Sequence, residues 1–86
     1  MNNLIINSVE ALLFGSGRPM RLSEIRNILE NSGTKVELSE IKQAINDLEE
    51  RHTNTSLEVQ EVASGYRLQI KQEHSSNLSI LWNEKS

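Results

Sequence analysis

The sequence contains no cysteine, one proline and four glycines among its 86 residues, and aromatic side chains make up only 3% of it. Without cysteine the chain can form neither a disulfide framework nor a thiolate metal site, and the composition fits a reducing compartment. Because aromatic residues are so few, the core must be built from leucine, isoleucine and valine. The hydrophobic fraction of 36% is still too high for a disordered tail, and the length allows one small domain.

Long apolar runs and a basic balance are also missing. No run approaches the roughly 20 residues that a membrane helix needs, and the first residues lack the basic, apolar and cleavage regions of a signal peptide. We therefore expect a cytoplasmic protein with no membrane partner. The net charge is −3, whereas neutralisation of phosphates supplies most of the affinity of nucleic-acid-binding domains. This charge disfavours direct DNA binding.

Three segments of helical periodicity are present in the first 52 residues. A helix is predicted from Leu4 to Ser16, a second over residues 24–31 and a third over residues 40–52. Because serine favours the position before a helix, Ser23 and Ser39 are predicted N-caps of the second and third helices. The first helix has one apolar arc, formed by Ile5, Ile6, Val9, Leu12 and Leu13. The inward side chains of the third are predicted to be Ile41, Ala44, Ile45 and Leu48.

The apolar period then changes to two, which is typical of strands. Residues 57–62 and 66–70 alternate and predict a β-hairpin that turns at Ser64 and Gly65. Only an even number of loop residues places the apolar side chains of both strands on one face. A short extended piece is also predicted at residues 20–22, and a short C-terminal helix is predicted from its apolar residues Leu78, Leu81 and Trp82.

The order helix, short strand, helix, helix, strand, strand is that of a winged helix-turn-helix domain, an α+β fold. We predict that this domain occupies residues 1–74. Residues 75–86 are predicted to form a C-terminal helix or linker toward a second domain that this sequence lacks.

DNA binding is the usual function of a helix-turn-helix, whose second helix enters the major groove. Here the segment 37–52 carries five acidic and two basic residues, a net charge of −3 that would repel phosphates. Candidate weak contacts to phosphate or to an acidic partner are Arg18, Arg21, Arg26, Arg67 and Lys71, although solvated surface charge is the simpler interpretation for each. A DNA-binding transcriptional regulator stays as the alternative function.

The sequence carries no pattern of catalytic, cofactor-binding or metal-binding residues. His52 and His74 lack companions at ligand spacing, so surface or helix-end roles are expected for both. No glycine-rich loop opens a helix, and no serine has a paired base. We therefore predict a protein that is not an enzyme and needs no cofactor. A regulatory or docking appendage of a larger enzyme is a further alternative.

Several large apolar side chains have no evident place in the core. Leu4 and Phe14 fall outside the inward arc of the first helix, and the end of the chain is apolar. Small domains rarely expose several such groups unless a partner covers them, and a two-fold dimer would cover the same patch twice. The alternative is that the C-terminal helix covers the first helix within one chain. The candidate interface residues are Leu4, Phe14, Leu78, Leu81 and Trp82.

Three blocks of the sequence together resemble one protein family. They are Val9–Gly17 followed by Arg18-Pro19, then Val62–Gln69, and finally Leu81–Lys85. In this order and spacing they are similar to the N-terminal half of segregation and condensation protein B (ScpB).

The resemblance implies a non-enzymatic protein with two winged-helix domains in tandem, of which the N-terminal one forms homodimers. It also implies binding to the kleisin ScpA and, through ScpA, to the SMC complex that condenses and segregates the chromosome. On this basis the chain is a fragment that ends where the family continues into its second domain.

Overall fold

The computed structural model describes residues 3–84. The described residues exclude Met1 and Asn2, at the start of the predicted domain 1–74. They also exclude Lys85 and Ser86, at the end of the predicted C-terminal segment 75–86. The fold is α+β with a two-stranded antiparallel wing, as predicted from the order of periodic segments. The helices are α1 (Asn3–Ser16), α2 (Leu22–Asn31), α3 (Leu38–Arg51) and α4 (Ser75–Asn83), with a 3-10 turn (Gln72–His74) before α4; the strands are β1 (Leu57–Val62) and β2 (Gly65–Ile70).

Helices α2 and α3 both begin at the leucine of a Leu-Ser-Glu-Ile sequence. The prediction that Ser23 and Ser39 are N-caps is therefore wrong, because each serine lies inside the first helical turn. In both helices the glutamate of the third position instead accepts a hydrogen bond from the backbone N–H of the residue before the helix, which satisfies a donor that would otherwise lack a partner. These pairs are Arg21–Glu24 at 3.3 Å and Glu37–Glu40 at 2.8 Å.

The end of α2 is fixed by a glycine. Gly33 has a φ of 99°, which side chains disfavour. This conformation lets the backbone N–H of Gly33 donate to the carbonyl of Glu30 at 3.0 Å, and that of Thr34 donate to the carbonyl of Leu29 at 2.8 Å. The two bonds form the Schellman arrangement that closes the helix.

The hairpin has the predicted parity but a different turn. Val62 pairs with Gly65, so the loop consists of Ala63 and Ser64, one residue earlier than predicted. Because this loop also contains two residues, the apolar side chains of both strands still share one face. The pairs on that face are Leu57–Ile70, Val59–Leu68 and Glu61–Tyr66.

A backbone bridge joins the wing to the segment between α1 and α2. The N–H of Met20 donates to the carbonyl of Tyr66, and the N–H of Tyr66 donates to the carbonyl of Met20, both at 2.8 Å. Gly65 lies against this bridge with a φ of 137°, and a Cβ there would come within 2.4 Å of the Met20 carbonyl carbon and oxygen. The extended piece predicted at residues 20–22 is confined to Met20, since Leu22 is already helical.

The core lies between the three first helices and the hairpin. The inward sides predicted for α1 and α3 are confirmed, with Ile5 and Leu12 only partly buried. No residue of α4 is buried. Within residues 3–84, no helix has the length and apolar content needed to cross a bilayer. The buried apolar residues are Ile6, Val9, Leu13, Met20, Ile25, Leu29, Val36, Ile41, Ala44, Ile45, Leu48, Val59 and Tyr66.

Candidate protein-interaction surface

An apolar stripe runs along the solvent side of α1. Leu4 and Phe14 are 67% and 72% exposed, and Asn7 and Ala11 between them are also exposed. Their spacing of three, four and three residues places these four side chains on one side of the helix. We call Leu4, Asn7, Ala11 and Phe14 the α1 face. The periodicity of the sequence had placed Leu4 and Phe14 outside the core, and the structure agrees.

A groove separates the α1 face from the hairpin. Its cavity has a volume of about 250 Å³ and is lined by Asn7, Glu10, Ala11, Phe14, Leu57 and Leu68. The walls are apolar on both sides, from α1 and from the inward face of the strands. Asn7 and Glu10 add the only polar side chains among these lining residues. We call this cavity the α1–hairpin groove.

The polar groups of the groove are held by the C-terminal end of α3. Arg51 donates from Nη1 to Asn7 Oδ1 at 2.7 Å and to Glu10 Oε1 at 3.1 Å. His52 Nε2 lies 2.5 Å from Glu10 Oε2, and its Nδ1 lies 2.7 Å from Thr55 Oγ1. The predicted helix-end role of His52 is confirmed, since it is the C-cap of α3 and only 9% exposed. This network fixes the orientation of the Asn7 and Glu10 oxygens.

A second apolar surface lies on α4. Leu81 and Trp82 are 58% and 62% exposed, and Leu78 is half-buried. These three residues share one side of the helix, whereas Ile80, which is 60% exposed and was not among the predicted interface residues, points to the other side. The alternative that α4 covers α1 within the chain is wrong, because neither Phe14 nor any α4 side chain is buried. The candidate interface residues thus form two surfaces.

The basic side chains of α3 are used inside the domain. Lys42 donates from Nζ to the hydroxyl of Tyr66 at 3.0 Å and lies 5.6 Å from the ring centroid, and this hydrogen bond raises the pKa of Lys42. Arg51 pairs with Glu10 rather than with Asp47, which lies four residues before it on α3. Asp47 instead accepts a hydrogen bond from Gln43. The exposed carboxylates of α3, on Glu40, Glu49 and Glu50, outnumber these two basic groups.

We expect no tight binding of this domain to duplex DNA, because the helix that would enter the major groove presents carboxylates to the phosphates. Titration against a mixed-sequence duplex at low salt measures this. The expected result is weak binding with little dependence on salt. Strong binding that falls steeply as salt is raised, and that is lost in the R67E and K71E wing variants, would restore the regulator alternative.

Three of the five candidate phosphate contacts already have partners in the domain. The side chain of Arg67 is exposed and makes no hydrogen bond or ion pair within residues 3–84. The charge of Arg21 contributes to lowering the pKa of Glu24. The proposed role of these residues in binding an anion stays a prediction. The partnered ones are Arg18, with Glu24 at 2.5 Å, Arg26, with Glu30 at 3.2 Å, and Lys71, with the Thr53 carbonyl at 2.9 Å.

The Arg18–Glu24 pair is expected to make the stability of the domain depend on pH. The hydrogen bond from Arg18 lowers the pKa of Glu24 below its ordinary value of 4.5 and raises that of Arg18. The pair therefore contributes its full stability above pH 4.5, and this contribution is lost as the pH falls through the lowered pKa. In E24Q, which keeps an acceptor for the Arg21 N–H, we expect a smaller loss of stability in acid. Urea unfolding of both chains at neutral and acidic pH measures the difference; parallel pH profiles would contradict the assignment.

No group of three or more histidine, aspartate or glutamate side chains that could hold a metal ion is found within the described part of the chain. His74 Nε2 lies 3.6 Å from Glu73 Oε2 in the 3-10 turn before α4. The polar network around Glu10 consists of its contacts with Arg51 and His52 and of the contact between His52 and Thr55.

The helix order, the two-stranded wing and the bridge at Met20 define a winged-helix domain. The domain has an acidic α3, and its exposed apolar side chains lie mainly on α1 and α4. The family model for segregation and condensation complex subunit ScpB matches residues 7–86, and the chain belongs to this family. The resemblance drawn from the three sequence blocks is confirmed.

Individual relatives agree with the family match. The chain is 35% identical over 77 residues to the segregation and condensation protein B homolog of Coxiella burnetii (strain RSA 493 / Nine Mile phase I). That match covers 90% of this chain but 36% of the relative, so the chain spans about a third of the curated relative's length.

Two solved structures share the fold. A crystal structure of a dimer of the ScpB N-terminal domain complexed with a ScpA peptide matches with a TM-score of 0.79 and 29% identity, covering 92% of this chain and 95% of that one. A conserved hypothetical protein from Chlorobium tepidum matches with a TM-score of 0.72 and 25% identity, covering 92% of this chain and 48% of that one.

Proposed function

We propose that this chain is a non-enzymatic interaction module that pairs with a second copy of itself and binds a segment of the kleisin ScpA. Within a full-length ScpB protein, this module would join the SMC complex that condenses and segregates the chromosome in the cytoplasm. The observation that carries the proposal is the pair of exposed apolar surfaces on α1 and α4, in a domain similar to one crystallised as a dimer with a ScpA peptide.

The α1 face supports self-association. Leu4 and Phe14 each expose about two thirds or more of their surface. Burying one such side chain is worth about 1.5–3 kcal/mol, and a two-fold axis doubles each contribution because both copies use the same patch. Phenylalanine is among the residues that are enriched in protein interfaces. Asn7 is the polar residue of the α1 face.

The kleisin partnership rests on family membership and on the neighbouring structure. The fold match to the ScpA-bound domain covers nearly the whole chain. A peptide binds a small domain by placing apolar side chains into a groove or along an exposed helix. The side of α4 that carries Ile80, opposite Leu81 and Trp82, offers such a contact.

Binding of a fluorescently labelled ScpA segment encoded by the same genome tests the proposal. Anisotropy is expected to rise with domain concentration to saturation. A labelled segment with its large apolar residues replaced by serine is the control and is expected not to bind. A folded domain that neither binds the native segment nor self-associates at high micromolar concentration would contradict the proposed function.

A further inference from the structure

Trp82 is the only tryptophan of the chain, and it is 62% exposed on α4. An indole combines a large apolar body with a single N–H donor, so its burial requires an apolar pocket with one acceptor at its edge. An exposed tryptophan beside Leu81 on one side of a helix is an unusual surface for a small domain. It marks a contact that the single chain does not make.

The α1–hairpin groove has the chemistry that an indole needs. Ala11, Phe14 and Leu68 provide apolar walls, and the carboxylate of Glu10 and the side-chain oxygen of Asn7 provide acceptors. Both oxygens already accept hydrogen bonds from α3 and are held in place by them. Each still has a free lone pair for an indole N–H. An aromatic ring in this groove would also stack against the exposed Phe14.

Three observations indicate which molecule supplies the indole. One wall of the groove is the α1 face, so the groove is continuous with the surface proposed for self-association. Every copy carries both Trp82 and the groove, so a two-fold pair makes the contact twice. A domain of 29% identity was crystallised as a dimer. We propose that Trp82 of one copy inserts into the α1–hairpin groove of a second copy, so that α4 acts as an exchanged arm.

This inference rests on the proposed self-association, and tryptophan fluorescence tests it separately. Because Trp82 is the sole tryptophan, emission excited at a wavelength that tyrosine does not absorb reports on this side chain alone. As the concentration rises through the monomer–dimer transition, the emission is expected to shift to shorter wavelength. Acrylamide quenching is expected to fall by roughly twofold or more, because the indole leaves water. Both changes should follow the mass measured by sedimentation.

Variants of the groove identify where Trp82 goes. L57R places a long charged side chain in the groove from the hairpin side, outside the α1 face, and is expected to prevent the shift. A63R adds the same charge in the exposed hairpin loop and is expected to leave the shift intact. Mixing L57R with W82A should restore the shift, because the intact Trp82 of one chain meets the intact groove of the other.

Each other outcome overturns the inference in a recognisable way. Dimers with unchanged emission would leave the proposed function in place but reject the exchanged arm. A short-wavelength emission in a monomer at all concentrations would show that Trp82 occupies the groove of its own chain. A monomer with exposed Trp82 throughout would reject both the inference and the proposed self-association.

Discussion

Replacing Gly65 with alanine is expected to destabilise the domain by about 3 kcal/mol or more. A φ of 137° is strained for any residue with a side chain, and the new Cβ would lie 2.4 Å from backbone atoms of Met20. Strain of this kind costs about 1–3 kcal/mol, and forcing apart a packed contact adds a similar amount. Because a small domain is stable by only about 5–15 kcal/mol, much of the margin is lost. Urea unfolding followed by circular dichroism measures the change.

Gly33→Ala is the matched control. Gly33 also has a positive φ, of 99°, but no atom lies within 4 Å of the position of its Cβ. Its replacement is expected to cost about 1 kcal/mol, from backbone conformation alone. If G65A costs no more than G33A, then the close approach of the wing to Met20 does not hold the fold together.

Replacing Phe14 with alanine is expected to weaken self-association by about a hundredfold or more. The side chain is 72% exposed in one chain, so its removal should leave the stability of the monomer almost unchanged. In a two-fold dimer two copies lose about 1.5–3 kcal/mol each, and every 1.4 kcal/mol is a tenfold change in Kd. Sedimentation equilibrium of the wild type and the variant gives both constants.

Val62→Ala serves as the control for this substitution. Val62 is also exposed, at 38%, but lies at the end of the wing rather than on α1. Its loss is expected to leave the dimer constant unchanged. Equal constants for all three chains would show that the α1 face is not the interface.

Local periodicity was sufficient to predict the helices and their inward sides. Val9 and Leu13 in α1, and Ile41 and Ile45 in α3, lie four residues apart, and all four are buried. The helix starts were less predictable, because Ser23 and Ser39 favour the capping position as strongly as a glutamate favours the third. Which of the two residues acts depends on the backbone N–H that each can reach.

The turn of the hairpin depended on a contact that is distant in the sequence. Parity requires an even loop, and this condition is met both by Ser64–Gly65 and by Ala63–Ser64. In the observed register Tyr66 forms the backbone bridge to Met20, and the Met20 backbone leaves no room for a side chain at residue 65. The alternation of residues within the strands does not reveal that the Met20 backbone lies against Gly65.

The candidate surface was predictable only in part, for the same reason. Leu4 and Phe14 could be assigned to the outside because a helix of this size buries one side. The groove joins α1 to the strands, and Glu10 meets Arg51 and His52 across 41 and 42 residues. The local pair of Asp47 and Arg51 was favoured by spacing, yet Arg51 reaches α1 instead.

Sedimentation equilibrium of the unmodified chain, from low to high micromolar concentration, tests the central claim most directly. If apolar side chains on α1 and α4 are contact surfaces for a second copy, the average mass should rise from that of one chain to that of two and then stop. A folded chain whose mass stays that of a monomer across the whole range would contradict this account.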